Sequence, residues 1–135
     1  MEQKQDILIG RDAEKKHLES INFFTGSHDS EIENCKFINN AAYDAGALLW
    51  NGINGRVIDS EFINNTALDD GAAIFWKGNK GLIENINFYN NTGKSFNTSS
   101  SRGGAICLTG DEVIITKSEF TLNSVLFSTG ADVNK

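Results

Sequence analysis

Three aspartates in the middle of this chain have the type and spacing to do chemistry. Asp44 precedes AGALLWNG (Ala45–Gly52), and Asp69 and Asp70 precede GAAIFWKG (Gly71–Gly78), so one bend carries carboxylates in two successive repeats. Gathered there, they could hold Ca2+, which takes hard oxygen ligands, or serve as acid and base for glycoside cleavage. Lys94, Phe96 and Arg102 flank them on a Ser/Thr/Asn-rich stretch, TGKSFNTSSSR, at residues 92–102. The competing use is local, because Asp in a solvated turn hydrogen-bonds its own backbone. Neighbouring strand residues also point to opposite faces, which separates Asp69 from Asp70. His17 and His28 lie in the N-terminal region, and Cys35 and Cys107 have neither zinc nor redox spacing, so the cysteines read as small buried thiols. No catalytic constellation stands out. The expectation is a chain that is not an enzyme, with a polysaccharide hydrolase or lyase using Asp44, Asp69 and Asp70 as the alternative, and with no cofactor beyond the Ca2+ option.

A repeat must position these groups. Phe37, Phe62, Phe88 and Phe120 stand 25, 26 and 32 residues apart, and each is followed three residues later by an asparagine: Asn40, Asn65, Asn91 and Asn123. GALLW, GAAIF and GGAIC recur with the same period, with Ala47, Ala73 and Ala105 identical. Five residues before each phenylalanine is an aliphatic: Ile32, Val57, Ile83 or Ile115. These segments are short, rich in β-branched residues and bounded by Asn or Gly, as strands are. About 25 residues holding three short strands make one rung of a solenoid, whose rungs stack about 4.8 Å apart with like side chains in ladders. The fold class expected is all-β: a parallel β-helix of about four to five rungs, right-handed because parallel crossovers are. With no proline in the chain, Gly and Asn must make its turns.

Residues 1–31 are expected to form an atypical cap and first irregular rung, and residues 32–135 the repeats, interrupted by an inserted loop at 92–102. Within the cap, DILIG (Asp6–Gly10) reads as a strand, RDAEKKHL (Arg11–Leu18) as a polar turn or short helix, and LESINF (Leu18–Phe23) as a pre-phenylalanine strand. In the glycine-rich strand, Leu48, Ile74 and Ile106 share parity with Trp50, Trp76 and Leu108, and burial of that larger set turns Leu49, Phe75 and Cys107 outward. An outward apolar stripe on Leu49 and Phe75 would be a contact surface. The opposite parity would expose Trp50 over Trp76 as a platform for sugar rings. Lys36 and Glu61 should pair across rungs, contributing only about 0–1 kcal/mol.

Composition bounds the partners. The chain has 135 residues, 39% of them hydrophobic, and a formal charge of −6. One globular unit is expected, and an acidic balance argues against nucleic acid, which needs clustered Lys and Arg. No stretch approaches the roughly 18 apolar residues of a membrane helix, and the first twenty residues hold no apolar run of signal-peptide length.

The paired motifs GGAIC, GALLW and GAAIF, with FINN, FINN, FYNN and FTLN, resemble the polymorphic outer membrane protein repeat over roughly Ile32 to Val133. That resemblance implies a right-handed β-helix of a surface, adhesin-like protein, secreted or at the cell surface as part of a longer chain. The expected partner is a surface protein or polysaccharide, met through the lateral face and the inserted loop, with Leu49, Phe75, Phe96, Arg102, Asp44, Asp69 and Asp70 as candidate contacts. A further alternative is end-to-end self-association through an open terminal rung.

Overall fold

The computed structural model describes residues 21–23, 28–94, 102–126 and 133–134, and these hold strands and no helix. β1 (Ile21–Phe23) precedes four coils of like plan. The first coil runs through β2 (Glu31–Glu33), β3 (Lys36–Ile38), β4 (Ala41–Ala42) and β5 (Leu48–Trp50). The second runs through β6 (Arg56–Ile63), β7 (Thr66–Ala67) and β8 (Ile74–Trp76), and the third through β9 (Leu82–Tyr89), β10 (Thr92–Lys94) and β11 (Ile106–Leu108). The fourth holds β12 (Ile114–Thr116), β13 (Glu119–Thr121), β14 (Ser124–Leu126) and β15 (Val133–Asn134).

Each strand pairs in parallel with its equivalent one coil away, which builds three sheets. A glycine-side sheet is ordered β1-β5-β8-β11-β15, and a narrow sheet β4-β7-β10-β14. A broad sheet carries β6 and β9 between the shorter pairs β2 and β3 on one side and β12 and β13 on the other. The expected parallel β-helix is therefore the fold. Its register follows the sequence repeat, with Phe37 opposite Phe62, Phe62 opposite Phe88 and Phe88 opposite Phe120.

The inward columns explain the residue choices. Rings of the four phenylalanines stack with centroids 4.6, 5.3 and 4.8 Å apart, and Trp50 lies on Trp76 at 4.7 Å. Tryptophan is admitted to the core because its N–H finds an acceptor: Nε1 of Trp50 donates to the Gly52 carbonyl and that of Trp76 to Gly78. Gly55 and Gly81 leave room for these indoles, since a Cβ at either would sit 2.1 or 2.5 Å from the ring.

Corners are made by residues in the left-handed region. Four columns share it: Asp29, Asn54, Lys80 and Glu112; Asn34, Asp59, Asn85 and Lys117; Asn39, Asn64, Asn90 and Leu122; Ala45, Gly71 and Gly103. Asn, Asp and Gly dominate because an ordinary side chain costs roughly 1–2 kcal/mol in that conformation.

The structure departs from the sequence expectations at the N-terminus. β1 pairs with β5, Ile21 with Leu48 and Phe23 with Trp50, so the described part of LESINF, Ile21–Phe23, is a glycine-side strand and not a pre-phenylalanine one. Spacing accounts for this: Phe23 stands 14 residues before Phe37, close to the 12 between Trp50 and Phe62. DILIG and RDAEKKHL lie outside the described residues. Within the 92–102 stretch, Thr92–Lys94 is β10 and Arg102 bridges to Asp70, and residues 95–101 lie outside the described part.

Candidate functional site

The three aspartates meet at one corner but take different environments. Asp69 donates its amide to the Tyr43 carbonyl while the Asp70 carbonyl accepts from Ala45, so two residues of the second coil stand opposite Asp44 of the first. This is the two-against-one pairing of a bulge, and it brings both carboxyl-bearing residues to the bend. Asp44 is exposed, Asp69 half-buried, and Asp70 only 4% exposed. One coil further on, Arg102 occupies the matching position. Its Nε donates to Asp70 Oδ1 at 3.0 Å and its terminal nitrogen to Oδ2, a two-pronged pair. By hydrogen bond first and charge second, Asp70 holds the guanidinium above its ordinary pKa. Removing one partner of such a pair is costly, because a charge is left in a water-poor site. Asp70 is thus bound to a structural cation. Among the described residues no group of three His, Cys, Asp or Glu side chains is placed to hold a metal ion.

The apolar stripe is corrected by burial. Leu49, Phe75 and Cys107 do lie on the side of their strands away from the tryptophans. Phe75, 8% exposed, and Cys107 form a second buried cluster with Ala45, and the half-buried Leu49 packs against it. The ammonium of Lys77 covers the Phe75 ring at 4.8 Å. An apolar column is favoured out of water, so Phe75 offers little free surface, while Leu49 stays half-exposed. Burial, then the Asp70 carboxylate, pushes the Cys107 thiol up to about 11. Trp50 and Trp76 are fully buried, which rules out the sugar platform. Phe96 lies outside the described residues.

A concave surface lies elsewhere, on the broad sheet. Asp59, Asn85 and Lys117, all left-handed, bend that sheet midway along its strands. The bend makes an open groove of about 430 Å3 lined by Asp59, Ser60, Glu61, Asn85, Ile86, Asn87, Lys117 and Glu119. Its walls are braced from coil to coil: Asn85 Nδ2 donates to Asp59 Oδ1 at 2.6 Å, Lys117 Nζ to Glu84 at 2.7 Å, and Lys36 pairs with Glu61 at 3.3 Å. Beside it runs an outward apolar column in which Ile38, Ile63 and Tyr89 stand in register, the first two half-buried and Tyr89 exposed. This combination of polar groove and apolar rim was missed from sequence. Its signal was a left-handed-tolerant residue, Asn34, Asp59 or Asn85, three positions before each of the first three ladder phenylalanines inside an otherwise strand-like run.

Residues 59–75 match the family model of the Chlamydia polymorphic membrane protein (Chlamydia_PMP) repeat, in agreement with the resemblance carried by the GGAI and FxxN motifs. No curated protein and no solved structure gives a significant match to the chain. The matched segment spans Phe62 and Asn65 of the two ladders and includes Asp59, Ser60 and Glu61 of the groove wall.

Proposed function

We propose that this chain is a non-enzymatic β-helical module of a cell-surface, adhesin-like protein that binds a surface protein or polysaccharide through the lateral face of its broad sheet. The observation behind this reading is the repeat match at residues 59–75, which falls on a coil whose motif residues are consumed internally. Phe62, Asn65 and Ala73 of that coil face inward and are fully buried. What remains for recognition is the outward set, Asp59, Glu61, Asn85 and Asn87 beside Ile63 and Tyr89. An aromatic next to amides and carboxylates suits a sugar ring or a peptide, since Tyr adds large contact area at small entropic cost. The partners of Asp70 support the same reading, because a buried carboxylate with both oxygens bonded to Arg102 has no oxygen left to offer a substrate.

The test is a binding panel of glycans and surface extracts against the whole chain. Saturable binding that weakens at least fivefold in Tyr89→Ala and in Asn87→Ala, with melting temperatures unchanged and no sugar released, is the expected result. Release of reducing ends from a polysaccharide, abolished by Asp69→Asn or Asp44→Asn, would establish the enzyme in its place.

A further inference from the structure

Two corners of the coil, Asn64-Asn65-Thr66 and Asn90-Asn91-Thr92, carry the pattern of an N-glycosylation acceptor, an asparagine followed two residues later by a hydroxyl. We propose that the first is a modification site: the side-chain amide of Asn64 takes a glycan, and Asn90, one coil on, is kept from taking a second.

The fold separates the two asparagines of each corner. Asn65 and Asn91 point into the ladder and are fully buried. Asn64 and Asn90 are exposed and left-handed, in the two-residue links from β6 to β7 and from β9 to β10. An asparagine has a structural use there, since it tolerates that conformation. The hydroxyl at 66 has none. In the first coil the same position is Ala41, which pairs with Thr66 in register, and the Thr66 hydroxyl makes no hydrogen bond among the described residues.

The two corners differ in what their polar atoms already do. Asn90 Nδ2 donates to Asn64 Oδ1 at 2.8 Å, and the Thr92 hydroxyl accepts from that of Ser124 at 3.4 Å. Asn64 contributes only its oxygen to this contact, so its Nδ2, the atom that would carry the sugar, is uncommitted among the described residues. The amide and the hydroxyl that the pattern needs are therefore both available in the second coil and both engaged in the third. With the two carboxamides in contact, a glycan on each nitrogen would crowd the other.

In the transfer, Asn64 Nδ2 attacks the anomeric carbon of a sugar carried on a lipid pyrophosphate. The new C–N bond forms as the C–O bond to phosphate breaks; the bonding pair leaves with the phosphate oxygen, and Nδ2 gives up one proton. Oδ1 is not consumed, so its bond from Asn90 is compatible with the product. The glycan stands at the edge of the lateral face, next in sequence to Ile63.

The experiment gives the purified, folded full chain a single-subunit oligosaccharyltransferase and a lipid-pyrophosphate-linked oligosaccharide. The chain carries Asn97→Gln, which removes the third such triplet, Asn97-Thr98-Ser99. A synthetic peptide of residues 60–70 is modified in parallel to prove that the transferase is active. Occupancy is read by peptide mass spectrometry and folding by melting temperature. Asn64 should be occupied at least fivefold more than Asn90, with no molecule modified at both. Thr66→Val, which keeps the shape of the strand and removes the hydroxyl, should lower occupancy of Asn64 at least tenfold at an unchanged melting temperature. An unmodified Asn64 beside a modified peptide, equal occupancy of Asn64 and Asn90, or a Thr66→Val chain modified like the wild type would overturn the proposal.

Discussion

Replacing Asn91 by alanine tests the ladder at its centre. Asn91 Oδ1 accepts from the amide of Asn65 at 3.0 Å and from its Nδ2 at 2.9 Å. Its own Nδ2 donates to Asn123 Oδ1 and to the Phe62 carbonyl, both at 2.9 Å. The substitution removes all four bonds. Asn65 Nδ2 retains Phe37 O, and Asn123 Oδ1 retains the Asn91 amide at 3.0 Å. The Asn65 N–H and the Phe62 C=O lose these partners in the buried interior. At about 1–3 kcal/mol for each of the two orphaned groups and roughly 1 kcal/mol for each of the other two bonds, the loss should be about 4–8 kcal/mol. That is a large share of the roughly 5–15 kcal/mol that holds a domain together. Urea denaturation of the wild type, Asn91→Ala, Asn123→Ala and the outward Asn87→Ala measures it. Asn91→Ala should lose most, Asn123→Ala less because it lies at the end of the stack, and Asn87→Ala within about 0.5 kcal/mol of wild type. If Asn91→Ala cost no more than Asn87→Ala, the amide ladder would be a geometric accident and the account of the corner would fail.

Other perturbations follow from the same coordinates. Leu122→Asn should stabilise the chain by about 0.5–1 kcal/mol, because Leu122 holds a left-handed φ of 55° where Asn39, Asn64 and Asn90 stand; a melting point raised by a few degrees is the readout. Arg102→Ala should cost about 1–3 kcal/mol, less than for a fully enclosed pair because the arginine is half-exposed. A double-mutant cycle with Asp70→Ala should return most of that as coupling. Cys107 gives a pH signature. Its thiol is raised in the fold from 9.0 to about 11, so the unfolded chain releases this proton first and stability falls between those values as pH rises. Cys107→Ala should show a flatter decline over that window in denaturant titrations, and the wild-type thiol should resist alkylation at pH 8.

The architecture was legible because a solenoid writes each inward contact into the sequence once per coil. Phe37, Phe62, Phe88 and Phe120 are neighbours in space for the same reason that they are periodic in the chain. Parity within the glycine-rich strand was legible too, since the wider side chains Trp50 and Trp76 belong inside. The fate of the opposite side was not. Whether Leu49, Phe75 and Cys107 stay wet depends on what lies over them, and no period encodes that. The groove escaped notice for a related reason. Asp59 and Asn85 sit within strands of normal composition, and only their left-handed backbone reveals a bend there. β1 shows the limit of motif reading: SINF resembles a pre-phenylalanine strand, but the distance to the next ladder residue decides which sheet it joins.

The corner carrying Asp69 and Asp70 separates the enzyme reading from the binding one on physical grounds. A catalytic carboxylate must reach its substrate and change its proton at the working pH. Asp70 fails the first condition, being buried and bonded through both oxygens to Arg102. Asp44 is free of burial, but its neighbour in the adjoining coil is spoken for, so the pair that glycoside cleavage needs is reduced to Asp44 and Asp69 across one bulge. That reading therefore survives only as a nucleophile and acid drawn from these two residues. It makes a sharp demand: Asp70→Asn should leave any hydrolysis intact while Asp44→Asn and Asp69→Asn each abolish it. Equal loss from all three would mean that the corner acts on hydrolysis through its fold and not as a pair of carboxylates.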